Sequence, residues 1–521
     1  MCDRKVCFVK TIVLMLWCLL MVAGAASADV RLPAVIGDNM VLQRGANAAI
    51  WGWADAGEKI RCTADWLAAK KVAVADKDGR WRFRIEAPKT PGPHKMTITG
   101  TNSVQINNIL AGEVWFCSGQ SNMQWSVKRT ANSDAEIAAA DYPNIRLFSI
   151  ERVPAGQPQR DCVGSWSQCS PETVPEFSAV AYFFGRELHK QLAVPIGLIN
   201  SSWGGTRIEP WTPPVGFESV PKLADIVEQI KKANKQFEEA VPDSLDDMEA
   251  WLKTCRQAVA ANSPIPSMPV FLKHELDSHR QPTGLYNGMV HPIVPFGLAG
   301  AIWYQGESNH KEAMTYYEKM KALIGGWRNV WSNPRLPFYY VQLAPFKYGD
   351  EDPNILPLLW EAQTAALAIP DTGMAVITDI GNIEDIHPKN KQDVGRRLAL
   401  WALAKTYGRK GLVYSGPQYV SMSVEGNRIR ISFDHIGGGL ISGDGKPLTW
   451  FTIAGPDRQF VEANAVIEGR NVVVYSEQVK NPVAARFAWH KLAEPNLKNA
   501  EGLPAVPFRT DDWPVVVKEQ D

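Results

Sequence analysis

The stretch Gly112-Glu113-Val114-Trp115-Phe116-Cys117-Ser118-Gly119-Gln120-Ser121-Asn122-Met123-Gln124 is where the chain changes its grammar. Val114, Trp115 and Phe116 form a short apolar run of β-forming residues. The run stops at Ser118-Gly119, a turn signal. Ser121 follows at once, between Gln120 and Asn122. A serine delivered by a tight turn at the end of a core strand is held in one place and left open to substrate, as a nucleophilic hydroxyl requires. A polar turn with an incidental serine is the plainer reading of this stretch taken alone. Met123 stands where the G-x-S-x-G elbow has its second glycine, and the serine precedes most of the strands that follow, so a lipase-type elbow does not fit.

Downstream of this stretch, strand-like and helical runs alternate. Strands are expected over 109–117, 145–150, 196–200, 299–304, 338–343 and 373–380, and helices over 178–192, 313–331, 356–368 and 391–407. Such alternation specifies an α/β unit, a mostly parallel sheet with helices on both faces, spanning 109–410. Sites on open α/β sheets lie at the carboxyl ends of the strands. Residues 213–282 interrupt the pattern with two charged amphipathic runs, 222–239 and 244–260. They read as a helical insertion, either a solvated hairpin or a lid.

Both flanks are β in character. In 29–108, Ala49-Ile50-Trp51-Gly52-Trp53, Lys71-Val72-Ala73-Val74, Trp81-Arg82-Phe83-Arg84-Ile85 and Met96-Thr97-Ile98-Thr99 alternate, with turns at Asp78-Gly79 and Pro91-Gly92-Pro93. That spacing reads as an N-terminal β-sandwich with a scaffold or sugar-binding role. In 411–521, strand-like runs at 428–433, 471–475 and 484–489 with turns at Gly437-Gly438-Gly439 and Asp444-Gly445 read as a C-terminal β domain.

Residues 1–28 carry Arg4, Lys5 and Lys10, then an apolar stretch, then Ala26-Ser27-Ala28. This is the pattern of a cleaved secretory leader, which predicts a secreted or periplasmic protein cut near Ala28. No later segment is long and apolar enough to span a bilayer, so no stable membrane insertion is expected. Lys+Arg and Asp+Glu each number 55, a balance that leaves no electrostatic footprint for nucleic acid. Cys2, Cys7 and Cys18 leave with the leader, and the odd remainder of Cys62, Cys117, Cys162, Cys169 and Cys255 argues against a full disulfide framework. Cys162 and Cys169 are near enough in sequence to pair. No C-x-x-C or H-E-x-x-H occurs, so no metal is signalled.

A serine hydroxyl needs a base, an orienting acid and donors for the oxyanion. Of nine histidines, His387 stands in Asp379-Ile380-Gly381-Asn382-Ile383-Glu384-Asp385-Ile386-His387-Pro388, after the last strand and before a helix. Asp385 and Glu384 are adjacent carboxylates, and the order Ser, Asp, His suits an α/β hydrolase. His291 and His435 are the rivals; the first lacks a neighbouring carboxylate and the second falls in the C-terminal β region. Asn200-Ser201-Ser202-Trp203-Gly204-Gly205-Thr206-Arg207-Ile208-Glu209-Pro210-Trp211 follows a strand, and its paired glycines let backbone N–H groups approach a ligand. Trp303-Tyr304-Gln305-Gly306-Glu307-Ser308-Asn309 follows another, where the Gln305 amide has the chemistry of an oxyanion donor. Glu307 is either a structural hydrogen-bond partner or a substrate contact.

These four blocks, in this order and each after a strand, resemble the sialate O-acetylesterase family of SGNH (GDSL-like) hydrolases. The resemblance extends to Tyr286-Asn287-Gly288-Met289 and to the tail Asn496-Leu497, Gly502-Leu503-Pro504 and Pro507-Phe508-Arg509. It implies an SGNH-type three-layer α/β/α catalytic domain and a serine carboxylesterase that removes O-acetyl groups from sugars, of the sialate 9-O-acetylesterase kind. Ser121 would be the nucleophile and His387 the base. The oxyanion hole would be the Ser121 N–H, Gly204 or Gly205, and Gln305. Many SGNH enzymes carry their acid three residues before the histidine, which here is Glu384; the D-I-H-P of this narrower family points to Asp385. Arg207, Glu307 and Asn309 are candidate substrate contacts. The substrate partner would be an O-acetylated sugar or glycan, with no metal or organic cofactor. An esterase acting on acetylated plant polysaccharide such as xylan, and a non-catalytic carbohydrate-binding protein with a dead hydrolase core, are the alternatives.

Overall fold

The computed structural model describes residues 29–517. The expected leader, residues 1–28, lies outside the described residues. Gly112–Gly119 is the second half of one 17-residue strand, β1 (Ser103–Gly119), and Ser121–Gln124 follow it as a single helical turn. From Ile109 onward every residue of β1 is buried, which is why the run carries Ile109, Leu110, Val114, Trp115 and Phe116 among small residues and a single charge, Glu113. The strands that join β1 in the large sheet are β2 (Tyr142–Ser149), β3 (Trp166–Cys169), β4 (Ile196–Ser202), β5 (Gly300–Tyr304), β6 (Phe338–Val341) and β7 (Thr372–Ala375). Their order is β7-β6-β5-β1-β4-β2-β3, and all neighbours are parallel except β3 on β2.

The longer helices that alternate with or follow these strands are α1 (Ala179–Leu192), α2 (Ala224–Ala260), α3 (Met314–Val330), α4 (Ile355–Ala365) and α5 (Lys391–Trp401). Ser178 Oγ caps α1 by accepting from the Ala181 N–H, and Asn390 caps α5 by accepting from the Asp393 N–H. Consecutive strand residues project to opposite sides. Trp115 of β1 meets Phe184 of α1, and its neighbour Phe116 meets Trp327 of α3. The fold is thus a mixed α/β one with a largely parallel sheet, accompanied by antiparallel sheets on either side in the chain.

The antiparallel part before β1 pairs Asn47–Trp53 with Arg80–Glu86, and Lys59–Ala64 with both Lys71–Val74 and His94–Thr99. The chain does not leave the sheet between 108 and 109. The amino end of β1 pairs with His94–Thr99, its middle with Val41–Gln43, and its carboxyl end with β4 and β5. Asn108 takes a positive φ of 56° at this point, a conformation asparagine tolerates, and the strand continues. One hydrophobic cluster runs from Val30 through the large sheet, whereas the strands after 410 surround a cluster of their own built on Ile429, Ile431, Val472, Phe487 and Leu497.

The insertion differs from its expected form. In place of two helices, α2 runs unbroken for 37 residues through Pro242. Only its first half buries a face, through Ile226, Ile230 and Ala233. Past that point the helix is largely exposed, so the carbonyl that Pro242 leaves without an N–H is open to water and the lost bond costs less than it would in a core. The return segment lies along it: Trp251 Nε1 donates to the Pro266 carbonyl (3.0 Å) and the Leu272 N–H to Ser244 Oγ (2.9 Å). All five cysteines among the described residues are free thiols, Cys162 and Cys169 included.

Candidate active site

Four loops meet at the carboxyl ends of β1, β4, β5 and β7, where the parallel strand order predicts a site. The first is the serine turn. Gly119 has φ +143°, and a Cβ there would lie 2.1 Å from the Tyr304 carbonyl oxygen. Only glycine lets β1 run this close to β5 and still turn. The Gln120 N–H then donates to Tyr304 O (3.0 Å), and Ser121 opens a one-turn helix, Ser121–Gln124.

The loop after β7 brings His387 to the serine across the whole sequence. Ser121 Oγ and His387 Nε2 lie 2.9 Å apart. Asp385 Oδ1 is 3.6 Å from His387 Nδ1 and accepts from the His387 backbone N–H at 3.0 Å. The first separation is an ion-pair distance, longer than a hydrogen bond. Glu384 is mostly exposed and faces Lys347 instead. The imidazole lies flat on Trp125, with ring centroids 4.7 Å apart and planes at 16°. Burial holds the imidazole below its usual range, the nearby Lys391 and Arg129 charges push the same way, and Asp385 opposes them. His387 is therefore neutral, and a competent base, at neutral pH. Of the rivals, His291 Nδ1 is bonded to the Gln159 carbonyl and His435 packs edge-on against Tyr414.

The loop after β4 supplies Gly204 and Gly205. A Cβ on Gly204 would sit 3.2 Å from the Ser121 Cβ, so this loop lies against the nucleophile. The Gly204 N–H is occupied by Gln124 Oε1 at 2.7 Å. Gly205, at φ +74°, and Ser121 keep backbone N–H groups that no acceptor among the described residues takes up. Trp203, one residue earlier, stacks on His279 at 4.9 Å and 16°, which brings the end of the inserted segment to the rim of the site.

Gln305 departs from its expected place in the oxyanion hole. It is fully buried, and its Nε2 donates to Gln120 Oε1 (3.0 Å), the Thr206 carbonyl (3.2 Å) and Asn309 Oδ1 (2.7 Å). The amide ties the serine turn to the β4 and β5 loops and has no donor left for substrate. Asn309 is likewise buried, accepting from the Ile208 N–H and donating to Glu209, so it is not placed to touch substrate. Arg207 is held by Glu209, Glu312 and the Ser308 carbonyl. Gln305 and Asn309 build a frame in place of the oxyanion and substrate contacts expected of them, whereas the Arg207 side chain stays partly exposed.

Glu307 joins a network that the sequence reading did not assemble. Asn122 Nδ2 donates both to Glu307 Oε1 and to the carbonyl of Ile386, the residue before His387 (3.0 Å). Asn122 Oδ1 accepts from Lys391 Nζ. Lys391 is wholly buried, over the ring of Tyr304, and burial pulls its ammonium down to about 7 against the opposing pull of Glu307 and Asp385. Burial pushes the Glu307 carboxyl up, and its Oε2 has no hydrogen-bond partner among the described residues. One signal for Lys391 was present in the sequence: a cation in the first turn of a predicted helix opposes the helix dipole and needs another reason to be there.

A family profile described as "Carbohydrate esterase, sialic acid-specific acetylesterase" matches residues 111–242 and 274–403. The chain belongs to this family. It is therefore a carbohydrate esterase. The match covers all four loops and skips 243–273, the solvated half of α2 and its return. Sialate O-acetylesterase of Rattus norvegicus is 30% identical over 437 residues, 76% of this chain and 77% of that one. Sialate O-acetylesterase of Homo sapiens is 30% identical over 430 residues, 75% and 74% of the respective chains. Among solved structures, a carbohydrate acetylesterase from Xanthomonas citri is 35% identical, covers 93% of this chain and 100% of that one, and superposes with a TM-score of 0.78.

Proposed function

We propose that this carbohydrate esterase removes O-acetyl groups from sialic acid by serine catalysis, on an SGNH-type three-layer α/β/α core, after export and cleavage near Ala28. The observation that carries the mechanism is the 2.9 Å approach of Ser121 Oγ to His387 Nε2. With the imidazole neutral, the Ser121 hydroxyl donates to Nε2. Oγ attacks the acetyl carbonyl as Nε2 takes the proton, and Asp385 beside Nδ1 favours the imidazolium that forms. The tetrahedral oxyanion is received by the N–H groups of Ser121 and Gly205. The imidazolium returns the proton to the departing sugar hydroxyl, leaving an acetyl-serine. Water, deprotonated by the same Nε2, releases acetate and restores the serine. The meeting of Phe184 and Trp327 with successive residues of β1 supports the three-layer core.

The sialate reading rests on the family description and on the names of the mammalian relatives. The test is acetate release from 9-O-acetyl-N-acetylneuraminic acid, with acetylated xylan alongside. Wild type should turn over the sialate ester and Ser121→Ala should lose about 10⁴-fold or more in kcat. Undiminished turnover by Ser121→Ala would overturn the mechanism. Faster release from xylan would move the substrate to plant polysaccharide. Export is checked separately, by sequencing the amino terminus of the protein recovered from outside the cytoplasm.

A further inference from the structure

A cavity of about 610 Å³ lies far from the serine loops in sequence, between the strands before β1 and two loops of the α/β unit. Its size falls in the range of small-molecule sites, roughly 300–1,000 Å³. One wall is the two-stranded ribbon of Asn47–Trp53 and Arg80–Glu86. The register sets Trp51 opposite Arg82 and Trp53 opposite Arg80. Directly opposed residues share a face, so two indoles and two guanidiniums alternate on one surface. The other face of the ribbon is core: Ile50, Trp81 and Phe83 are buried. Arg160 and His291 close the cavity from the α/β side, the imidazole being held by the Gln159 carbonyl.

Aromatic residues on a sheet face usually find packing partners. Trp51 is half-buried, with part of its ring against the core cluster, and has no ring or cation partner among the described residues, whereas one face of Trp53 is covered by Arg31 at 5.5 Å. Arg80, Arg82 and Arg160 are exposed and make no ion pair among the described residues. Among the described residues that line the cavity the one carboxylate is Asp76, whose Oδ1 accepts from the N–H groups of Asp78 and Arg80 and whose charge acts on the Arg80 guanidinium. The surface is thus an indole platform, packed on the core from one side, beside two guanidiniums, Arg82 and Arg160, that no carboxylate pairs among the described residues. Guanidinium forks match carboxylates in geometry, and an indole face suits the C–H face of a pyranose ring.

We propose that this cavity is a second, non-catalytic carbohydrate site that takes an anionic saccharide, with Trp51 stacking on a sugar ring and Arg82 and Arg160 receiving its carboxylate. A glycan held there stays tethered to the enzyme, raising the effective concentration of its ester groups at the serine. The site is independent of the serine mechanism, because binding is measured without turnover.

The experiment is calorimetric titration of the mature chain with tetragalacturonate, which carries no acetyl ester, and with xylotetraose and octathymidylate as neutral and nucleic-acid comparisons. Wild type should bind tetragalacturonate saturably and in preference to both others. Trp51→Ala and Arg82→Gln should each weaken that binding by about tenfold or more. Hydrolysis of 4-nitrophenyl acetate in both variants should stay within about twofold of wild type, showing that the fold and the serine site are intact. The proposal fails if wild type does not bind tetragalacturonate, if xylotetraose or octathymidylate binds as tightly, or if both variants bind as wild type does.

Discussion

Two buried polar clusters stand on either side of the serine turn, and they have opposite electrostatic fates. Around Glu209, two anions meet two cations: Lys319 Nζ reaches Glu209 Oε1 at 2.6 Å and Glu312 at 2.7 Å, Arg207 contacts both carboxylates, and Asn309 fills Glu209 Oε2. Burial alone would raise the Glu209 carboxyl, but Lys319 and Arg207 more than reverse that and pull it down to about 2. Around Asn122, Lys391 and Glu307 are separated by the amide between them, and one carboxylate oxygen has no partner among the described residues. There burial wins, pulling Lys391 down to about 7 and pushing Glu307 up. A saturated cluster holds its shape and spends its charge internally. An unsaturated one leaves charge to act on its neighbour, and that neighbour is His387.

The largest expected effect breaks the saturated side. Glu209→Ala leaves Lys319 and Arg207 to share Glu312, and should cost about 3 kcal/mol of stability in urea unfolding. A loss below about 1 kcal/mol would show that the pairing adds nothing net. Because the folded Glu209 carboxyl is depressed below its ordinary 4.5, its contribution is fully present above that value and is lost as the pH falls from there towards 2. The acid limb of the stability curve should therefore flatten in the variant.

Asn122→Ala tests the unsaturated side. It removes the tie to the Ile386 carbonyl and the acceptor of Lys391, so the histidine loop loses a support without losing a reacting atom. We expect kcat/KM to fall about 10–100-fold, mostly in kcat. A wild-type rate would mean that the loop is positioned by Asp385 and Trp125 alone.

Lys391→Met gives the smallest effect and the sharpest contrast. The ammonium lowers the pKa of His387, so removing it should raise that pKa. The acid limb of kcat/KM then moves to higher pH, by up to about one unit. Folded Lys391 has released its proton by about 7 whereas the unfolded side chain holds it to 10.5, so wild-type stability should rise across that interval. In the variant this rise disappears. An unmoved pH–rate profile would reduce Lys391 to a packing role.

Much of the site was legible in order but not in orientation. Val114 to Ser121 is local: a strand, a turn and a hydroxyl follow from neighbouring residues, and so do the loops after β4, β5 and β7. Gln305 shows where that reading stops. Its residue type suits an oxyanion donor, yet the direction of its amide depends on Gln120, Thr206 and Asn309, all distant in the chain. Asn108 beside the change of grammar looked like a boundary, but strand pairing carries β1 through it. The runs 222–239 and 244–260 read as two helices, but they form one, because solvent around the second half of α2 makes the bond lost at Pro242 tolerable.

The amino-acid sequence alone determined the periodicities, the turns and the chemical types available at each loop, because these depend on residues a few positions apart. The tertiary structure decided which hydroxyl meets which imidazole, which donors are already spent, and which buried charges are balanced. Those are properties of contacts between segments hundreds of residues apart, and side-chain direction and desolvation take values only once the sheet has brought the segments together.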